Sequence, residues 1–150
     1  MPAIGDKAPD FELLNQNEQV VHLSDYYGRK IILFAFSQAF TAGCNNQVCG
    51  FRDQFPQIEA AGAVVLGVSP DKPEVLKLWK KEKQLQYDLL SDPDHRVLDE
   101  WNAWGRPLFG LFTIPRTNRS FWVIDEQGVI IDAQLGVSPA DSVKRALAAL

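Results

Sequence analysis

The sequence predicts an α/β domain in which a mixed central sheet is flanked by helices on both faces. Three observations predict it. Short apolar runs rich in Val, Ile and Phe occur at Ile31–Phe36, Ala63–Val68, Phe121–Ile124 and Val129–Ile131, each bounded by turn residues as buried strands usually are. Helical patterns separate the earlier runs from one another. The last two runs are joined instead by Asp125-Glu126-Gln127-Gly128, a Gly-containing loop of hairpin length, so that pair is expected to run antiparallel.

Taken in order, Phe11–Leu14 and Val20–Leu23 flank a polar Asn15-Gln16-Asn17-Glu18 turn, which predicts a small additional β-hairpin as an N-terminal extension. Ile31–Phe36 is the first central strand. Beyond it, Cys44, Val48, Phe51, Phe55 and Ile58 recur at alternating spacings of four and three, which is one apolar helix face. Pro56 lacks an N–H, and its ring would clash with the carbonyl of Arg52, so this helix is expected to kink or end near Phe55. Ala63–Val68 is the next strand. Pro73–Lys83 reads as a helix with Asp71 near its N-terminus, Val75, Leu76 and Trp79 on the packed side, and Lys77, Lys80, Lys81 and Lys83 as a solvated face. A short strand and helix fall between Leu89 and Trp101, and the predicted antiparallel pair follows. Ser138 as cap, Pro139 in the first turn and Asp141 behind it open a last helix that packs on the sheet through Val143, Ala146, Leu147 and Leu150. A thioredoxin-like fold fits this order. No repeat, low-complexity tract or linker interrupts it, so residues 1–150 are expected to form one domain.

Composition narrows the function. Fifteen Lys and Arg against nineteen Asp and Glu give a net charge of −4 and a pI near 5.1, without the basic footprint of a nucleic-acid binder. The longest apolar run, Ile31–Phe36, is far short of the ~20 residues of a membrane-spanning helix. Met1-Pro2-Ala3-Ile4-Gly5-Asp6-Lys7 lacks a basic start followed by an apolar stretch, so a cytoplasmic protein is expected. In a reducing compartment, the cysteine pair Cys44 and Cys49 points to catalysis, redox activity or metal binding before a structural disulfide.

Cys44 opens the helix after the loop Ser37-Gln38-Ala39-Phe40-Thr41-Ala42-Gly43. Unpaired N–H groups and the positive end of the helix dipole favour a thiolate there. A free cysteine is only about 3% ionised at pH 7, and a depression of about two pKa units, about 2.7 kcal/mol, would make it mostly nucleophilic. Cys49 lies five residues on, which in an ideal helix puts the Cα atoms about 8.6 Å and roughly 140° apart. That exceeds the ~7 Å reach of a disulfide, so bonding would require the helix to unwind. Cys49 sits beside Asn45, Arg52 and Asp53, off the apolar stripe, and is expected to be the more accessible thiol. Two small buried residues remain an alternative. A zinc site is not expected, because C-x₄-C leaves only His22 and His95 as further ligands, and no C-x-x-C exchange motif is present. Trp101, Trp104, Phe109 and Phe112 read as pocket wall or core before an exposed partner patch, and His95 as a surface residue.

Gly5-Asp6-Lys7-Ala8-Pro9-Asp10-Phe11, Leu23-Ser24-Asp25-Tyr26, Thr41-Ala42-Gly43-Cys44 and Cys49-Gly50-Phe51-Arg52-Asp53 together resemble a peroxiredoxin, and more narrowly the bacterioferritin comigratory protein (PrxQ) subfamily. The likeness continues through Gly67–Pro73, Leu89–Asp92, Trp104-Gly105 and Arg119–Asp125. It implies a thiol-dependent peroxidase for hydrogen peroxide and organic hydroperoxides that uses no metal or other cofactor. Cys44 matches the peroxidatic cysteine, oxidised to sulfenic acid. Cys49 matches the resolving cysteine, and thioredoxin or a similar dithiol would reduce the resulting intramolecular disulfide. Thr41 matches the threonine whose hydroxyl bonds thiolate and peroxide, a role compatible with capping the helix. Arg119 matches the arginine that supplies positive charge, in preference to Arg116, because the register Arg-x-x-x-x-x-Asp ends at Asp125. Gln47 is a further candidate for positioning the peroxide. The subfamily implies a monomer, with a dimer as the alternative.

One departure stands out. The family pattern is P-x-x-x-T-x-x-C, and this chain has Ser37 in place of the proline and Ala42 in place of a frequent second one. Loss of the proline is expected to loosen or rehydrate the loop, so that Ser37→Pro would raise the peroxide rate or rigidify the reduced loop. Two other readings of the pair are a thiol–disulfide oxidoreductase acting on proteins and a non-enzymatic redox sensor whose oxidation exposes Val48 and Phe51.

Overall fold

Strand β3 (Ile31–Ala35) is completely buried, and its alternation divides the core in two. Ile32 and Phe34 join Cys44, Val48, Phe51 and Trp79 on one face, whereas Ile31, Leu33 and Ala35 join Leu23, Leu98, Trp101 and Trp122 on the other. Both faces of the strand are covered, as its unbroken apolar run requires. Each fully buried Leu, Ile or Phe contributes about 1.5–3 kcal/mol.

The computed structural model describes residues 2–108 and 112–150. Before β3 lie β1 (Glu12–Asn15), β2 (Val20–His22) and a 3-10 turn (Leu23–Tyr26). After it come α1 (Ala42–Asp53), α2 (Phe55–Ala60), β4 (Val64–Ser69), α3 (Pro73–Lys83), β5 (Asp88–Ser91) and α4 (Arg96–Glu100). The chain continues through β6 (Trp104–Leu108), β7 (Phe112–Thr117), β8 (Ser120–Ile124), β9 (Ile130–Leu135) and α5 (Pro139–Ala148). The main sheet has the order β2-β1-β5-β4-β3-β8-β9. It is mixed: β3–β4 and β4–β5 are parallel, and the other neighbouring pairs are antiparallel. Residues of α1, α2, α3 and α5 cover one face, and α4 with the 3-10 turn covers the other.

The local expectations meet their physical causes here. Helix α1 ends at Asp53, Gln54 caps it, and Pro56 lies in the first turn of α2, where its missing N–H is harmless. Helix α3 spans Pro73–Lys83 with Leu76 and Trp79 buried; Lys77 and Lys81 are solvated, and Lys80 pairs with Asp88 at 3.3 Å. Ser138 caps α5 by accepting the Asp141 N–H at 3.2 Å. The antiparallel β8–β9 pair forms across the Asp125–Gly128 turn.

Two features go beyond the sequence reading. The N-terminal hairpin forms as expected, and it joins the main sheet because β1 pairs with β5 through Leu14 opposite Ser91 and Asn15 opposite Leu90. Gln16, in its turn, is buried: Nε2 donates to Asp88 Oδ1 at 2.9 Å and Oε1 accepts the Leu89 N–H at 3.0 Å, so a turn residue stitches the hairpin to its neighbour. The β6–β7 pair is a separate two-stranded sheet that the sequence did not predict. Pro107 and Pro115 argue against strands in isolation, but the ladder absorbs the irregularity with a register shift at Gly105, whose φ is +89°.

Candidate active site

The sheet register brings the site together. β8 runs antiparallel to β3 with Ser120 opposite Ala35, so the residue before β8 stands beside the end of β3, where the cysteine loop departs. That residue is Arg119. From there Nη2 donates to Cys44 Sγ at 3.2 Å, across 75 positions of sequence. Cys44 is in the first turn of α1 and fully buried.

The loop between β3 and α1 is held from behind. The Ala39 N–H and the Ser69 hydroxyl both donate to Asp71 Oδ2 at 2.8 Å. Asp71 precedes α3, as expected, but its carboxylate ties the cysteine loop to the end of β4 and leaves Lys72 as the cap of α3, with no side-chain cap bond. Phe40, exposed and packed against Trp79, has a φ of +65°, a strained value for an aromatic residue, one position before Thr41.

Thr41 occupies the cap position of α1, but its hydroxyl does not cap the helix. It donates to the Gln38 carbonyl at 2.8 Å, so the capping role is replaced by a bond within the loop. The Ser37 hydroxyl lies 3.6 Å from the sulfur. Burial pushes the Cys44 thiol up. The Thr41 hydroxyl, the Gln38 main chain, the Ser37 hydroxyl and the Arg119 charge more than offset this, and the thiol lies below its ordinary value. A hydroxyl has one proton, and that of Thr41 is given to Gln38; it serves the sulfur only by turning away from that carbonyl. Among the described residues, Arg119 and Ser37 are the side chains hydrogen-bonded to the sulfur in this geometry, and the Thr41 hydroxyl beside them also favours the thiolate.

Cys49 is half-buried, packs against the same core cluster, and is more accessible than Cys44. Both thiols are free, with α1 continuous between them. Gln47 is buried between α1 and α5, where Nε2 donates to Ser142 Oγ at 3.2 Å. Arg116 is exposed, and with Arg119, Ser37, Asn118 and Ser138 it lines a polar cavity of about 260 Å³. Trp101 is core, edge-on to Trp122 and Phe11. His95 is half-buried and stacks on Trp104 at 4.0 Å, which corrects its reading as a plain surface residue. Phe109 and the side chain of Phe112 lie outside what is described. Among the described residues no cluster of three His, Cys, Asp or Glu could hold a metal, and no helix is long and apolar enough to cross a membrane.

Residues 4–133 match the AhpC/TSA family. A Haemophilus influenzae protein named putative peroxiredoxin bcp is 41% identical over 129 residues, 86% of this chain and 83% of that one. The chain belongs to the AhpC/TSA family and is a peroxiredoxin. Escherichia coli peroxiredoxin Bcp is 38% identical to it over 84% of this chain and 81% of its own length. Among solved structures, Mycobacterium tuberculosis peroxidoxin BcpB superposes with a TM-score of 0.88 at 28% identity, covering 99% of this chain and 96% of that one. A cysteine-to-serine mutant of Xylella fastidiosa PrxQ gives a TM-score of 0.90 at 22% identity, covering 99% and 94%, a likeness of fold. As a peroxiredoxin the protein is a thiol-dependent peroxidase with a thioredoxin-like fold, and the family implies a peroxide substrate and a dithiol reductant.

Proposed function

We propose that Cys44 is the peroxidatic cysteine, Cys49 the resolving cysteine, and Arg119 and Thr41 the groups that activate Cys44 and orient the peroxide. The observation that carries this is the Arg119 Nη2 to Cys44 Sγ contact of 3.2 Å at a buried helix N-terminus. The Cys44 thiolate attacks one oxygen of ROOH; the S–O bond forms as the O–O bond breaks, and the leaving alkoxide takes a proton to become ROH. The guanidinium donates to the sulfur before attack and to the oxygen that gains charge during it. The Thr41 hydroxyl, free to rotate between the Gln38 carbonyl and the sulfur side, orients the peroxide.

The resulting sulfenic acid is attacked by the Cys49 thiolate, expelling hydroxide that leaves as water, and the product is an intramolecular disulfide. Because α1 keeps the two Cα atoms about 8.6 Å apart, this step unwinds its first turns. Thioredoxin or a similar dithiol then returns both thiols by exchange. The whole chain acts as one domain and as a monomer, in the reducing cytoplasm.

The test is the intact mass and free-thiol count after one equivalent of hydrogen peroxide. The wild type is expected to lose two hydrogens and both thiols, Cys49→Ser to trap a sulfenic acid, and Cys44→Ser to remain unreacted. Two surviving thiols in the wild type would end this assignment.

A further inference from the structure

Ser37 stands where β3 gives way to the cysteine loop. Sheet bonding runs up to the residue before it, since the Phe36 N–H donates to the Val68 carbonyl at 3.1 Å, so the position of its Cβ is set by the sheet. From there Oγ lies 3.6 Å from Cys44 Sγ, while Arg119 reaches the same sulfur at 3.2 Å from the β8 side. Both residues also line the polar cavity of about 260 Å³ together with Arg116 and Asn118. A thiolate can only accept, so once Cys44 ionises the Ser37 hydroxyl becomes the donor, and the bond is charge-assisted.

We propose that Ser37 is a further catalytic residue of this peroxidase: its hydroxyl donates to the Cys44 thiolate and, with the guanidinium of Arg119, holds the sulfur in its attacking position. The proposal rests on Cys44 being the reacting thiol. The Thr41 hydroxyl, which also favours the thiolate, donates to the Gln38 carbonyl in this geometry, so Ser37 supplies a second hydroxyl to the sulfur from the end of β3. Arg119, from the segment before β8, is the charged group acting on the sulfur; the α1 and loop elements packed around it contribute hydroxyl and main-chain groups.

A donor of this kind has two opposed effects. It raises the thiolate fraction at low pH and lowers the intrinsic reactivity of each thiolate, because nucleophilicity falls with thiol pKa at a Brønsted slope of about 0.4–0.5. If removal of the hydroxyl moves ionisation up by about one pH unit, the thiolate fraction below the midpoint falls about tenfold and each thiolate becomes about threefold more reactive. The pH–rate curves of wild type and Ser37→Ala then cross. The variant is about threefold slower on the acid limb and about threefold faster on the alkaline plateau. Ser37→Pro, which also lacks a donor, moves the midpoint in the same direction, the reverse of the acceleration at neutral pH expected from the loop alone.

The experiment measures the second-order rate with hydrogen peroxide against pH for wild type, Ser37→Ala, Ser37→Pro and Ser37→Thr. Alongside it, thiolate absorbance is titrated for each change placed in a Cys49→Ser background, where one thiol is left. Crossing curves, a raised midpoint in Ala and Pro, and recovery in Thr are expected. An unmoved midpoint in Ser37→Ala, or a rate lowered equally on both limbs, would overturn the role. Reaction of Cys44→Ser with peroxide would instead overturn the assignment of Cys44 and leave the Ser37 contact a structural one.

Discussion

The guanidinium of Arg119 donates to the sulfur of Cys44 at 3.2 Å, and its Nε is buried with no hydrogen-bond partner among the described residues. The interaction links the segment before β8 to the first turn of α1. Replacing Arg119 by Ala removes a charge-assisted donor at the point where charge develops, so kcat/KM for peroxide is expected to fall about 10²–10³-fold. Arg119→Lys should recover part of that, because a point charge replaces a fork. Stopped-flow kinetics decide it; wild-type rates in Arg119→Ala would remove this residue from the mechanism.

Gly43 makes the approach of Arg119 feasible. A Cβ there would lie 3.0 Å from Nη2 and 3.1 Å from Nη1 of Arg119. The guanidinium is the end of a flexible side chain and gives way readily. Gly43→Ala should therefore leave the melting temperature nearly unchanged and slow the peroxide reaction about tenfold, less than removal of the whole donor. A matching crystal structure would show the guanidinium moved off the sulfur.

Burial opposes ionisation of Cys44, but the surrounding donors and Arg119 prevail, so its folded pKa lies below the ordinary 9.0. The peroxide rate should rise with pH through that lowered value, with its midpoint below 9.0. For stability the sign is that of a depressed acid. The contribution of Cys44 is fully present above 9.0, the unfolded value, and is lost as pH falls through the folded one. Urea unfolding of the reduced protein should show this rise with pH, and Cys44→Ser should abolish it.

Formation of the Cys44–Cys49 disulfide requires α1 to open, and the helix is tethered by two buried partners. Tyr87 donates to the Val48 carbonyl at 2.8 Å, and Trp79 Nε1 donates to Asn45 Oδ1 at 2.7 Å. Oxidation should increase hydrogen exchange across residues 43–51. Tyr87→Phe, which removes about 1 kcal/mol from the helix, should speed disulfide formation. Equal exchange in the oxidised and reduced proteins would show that bonding proceeds without unwinding.

Helix α1 packs on α5 through a glycine. A Cβ at Gly50 would lie 2.8 Å from Val143 Cγ2, on a stiff β-branched side chain. In an isolated helix Gly50→Ala would stabilise; here it should cost about 1–3 kcal/mol by overpacking. Adding Val143→Ala should return part of the loss in thermal unfolding.

Much of this was legible in the chain. Helices α3 and α5 announce themselves through a proline in the first turn, a periodic apolar face and, for α5, a serine cap, all local features that act within a few residues. Cys44 at a helix start, Arg119 before a strand and the break at Pro56 are likewise readable. The β6–β7 ladder was not, because two prolines lower its local preference while pairing across the loop supplies the bonds. Gln16 looked like a turn residue, and Asp71 like part of a helix start. Their partners, Leu89 and Ala39, lie 73 and 32 positions away.

By itself the sequence determined the strand and helix order, the pair of thiols, and the residue types able to ionise and attack, since these depend on side-chain chemistry and on interactions within a turn or two. Only the tertiary structure decided which donor reaches the sulfur. The pairing of Ser120 with Ala35 delivers Arg119, the end of β3 delivers Ser37, and the Gln38 carbonyl takes the proton of Thr41. A hydrogen bond depends on tenths of an ångström between groups far apart in the chain, and that separation is set by sheet register and core packing rather than by any local pattern.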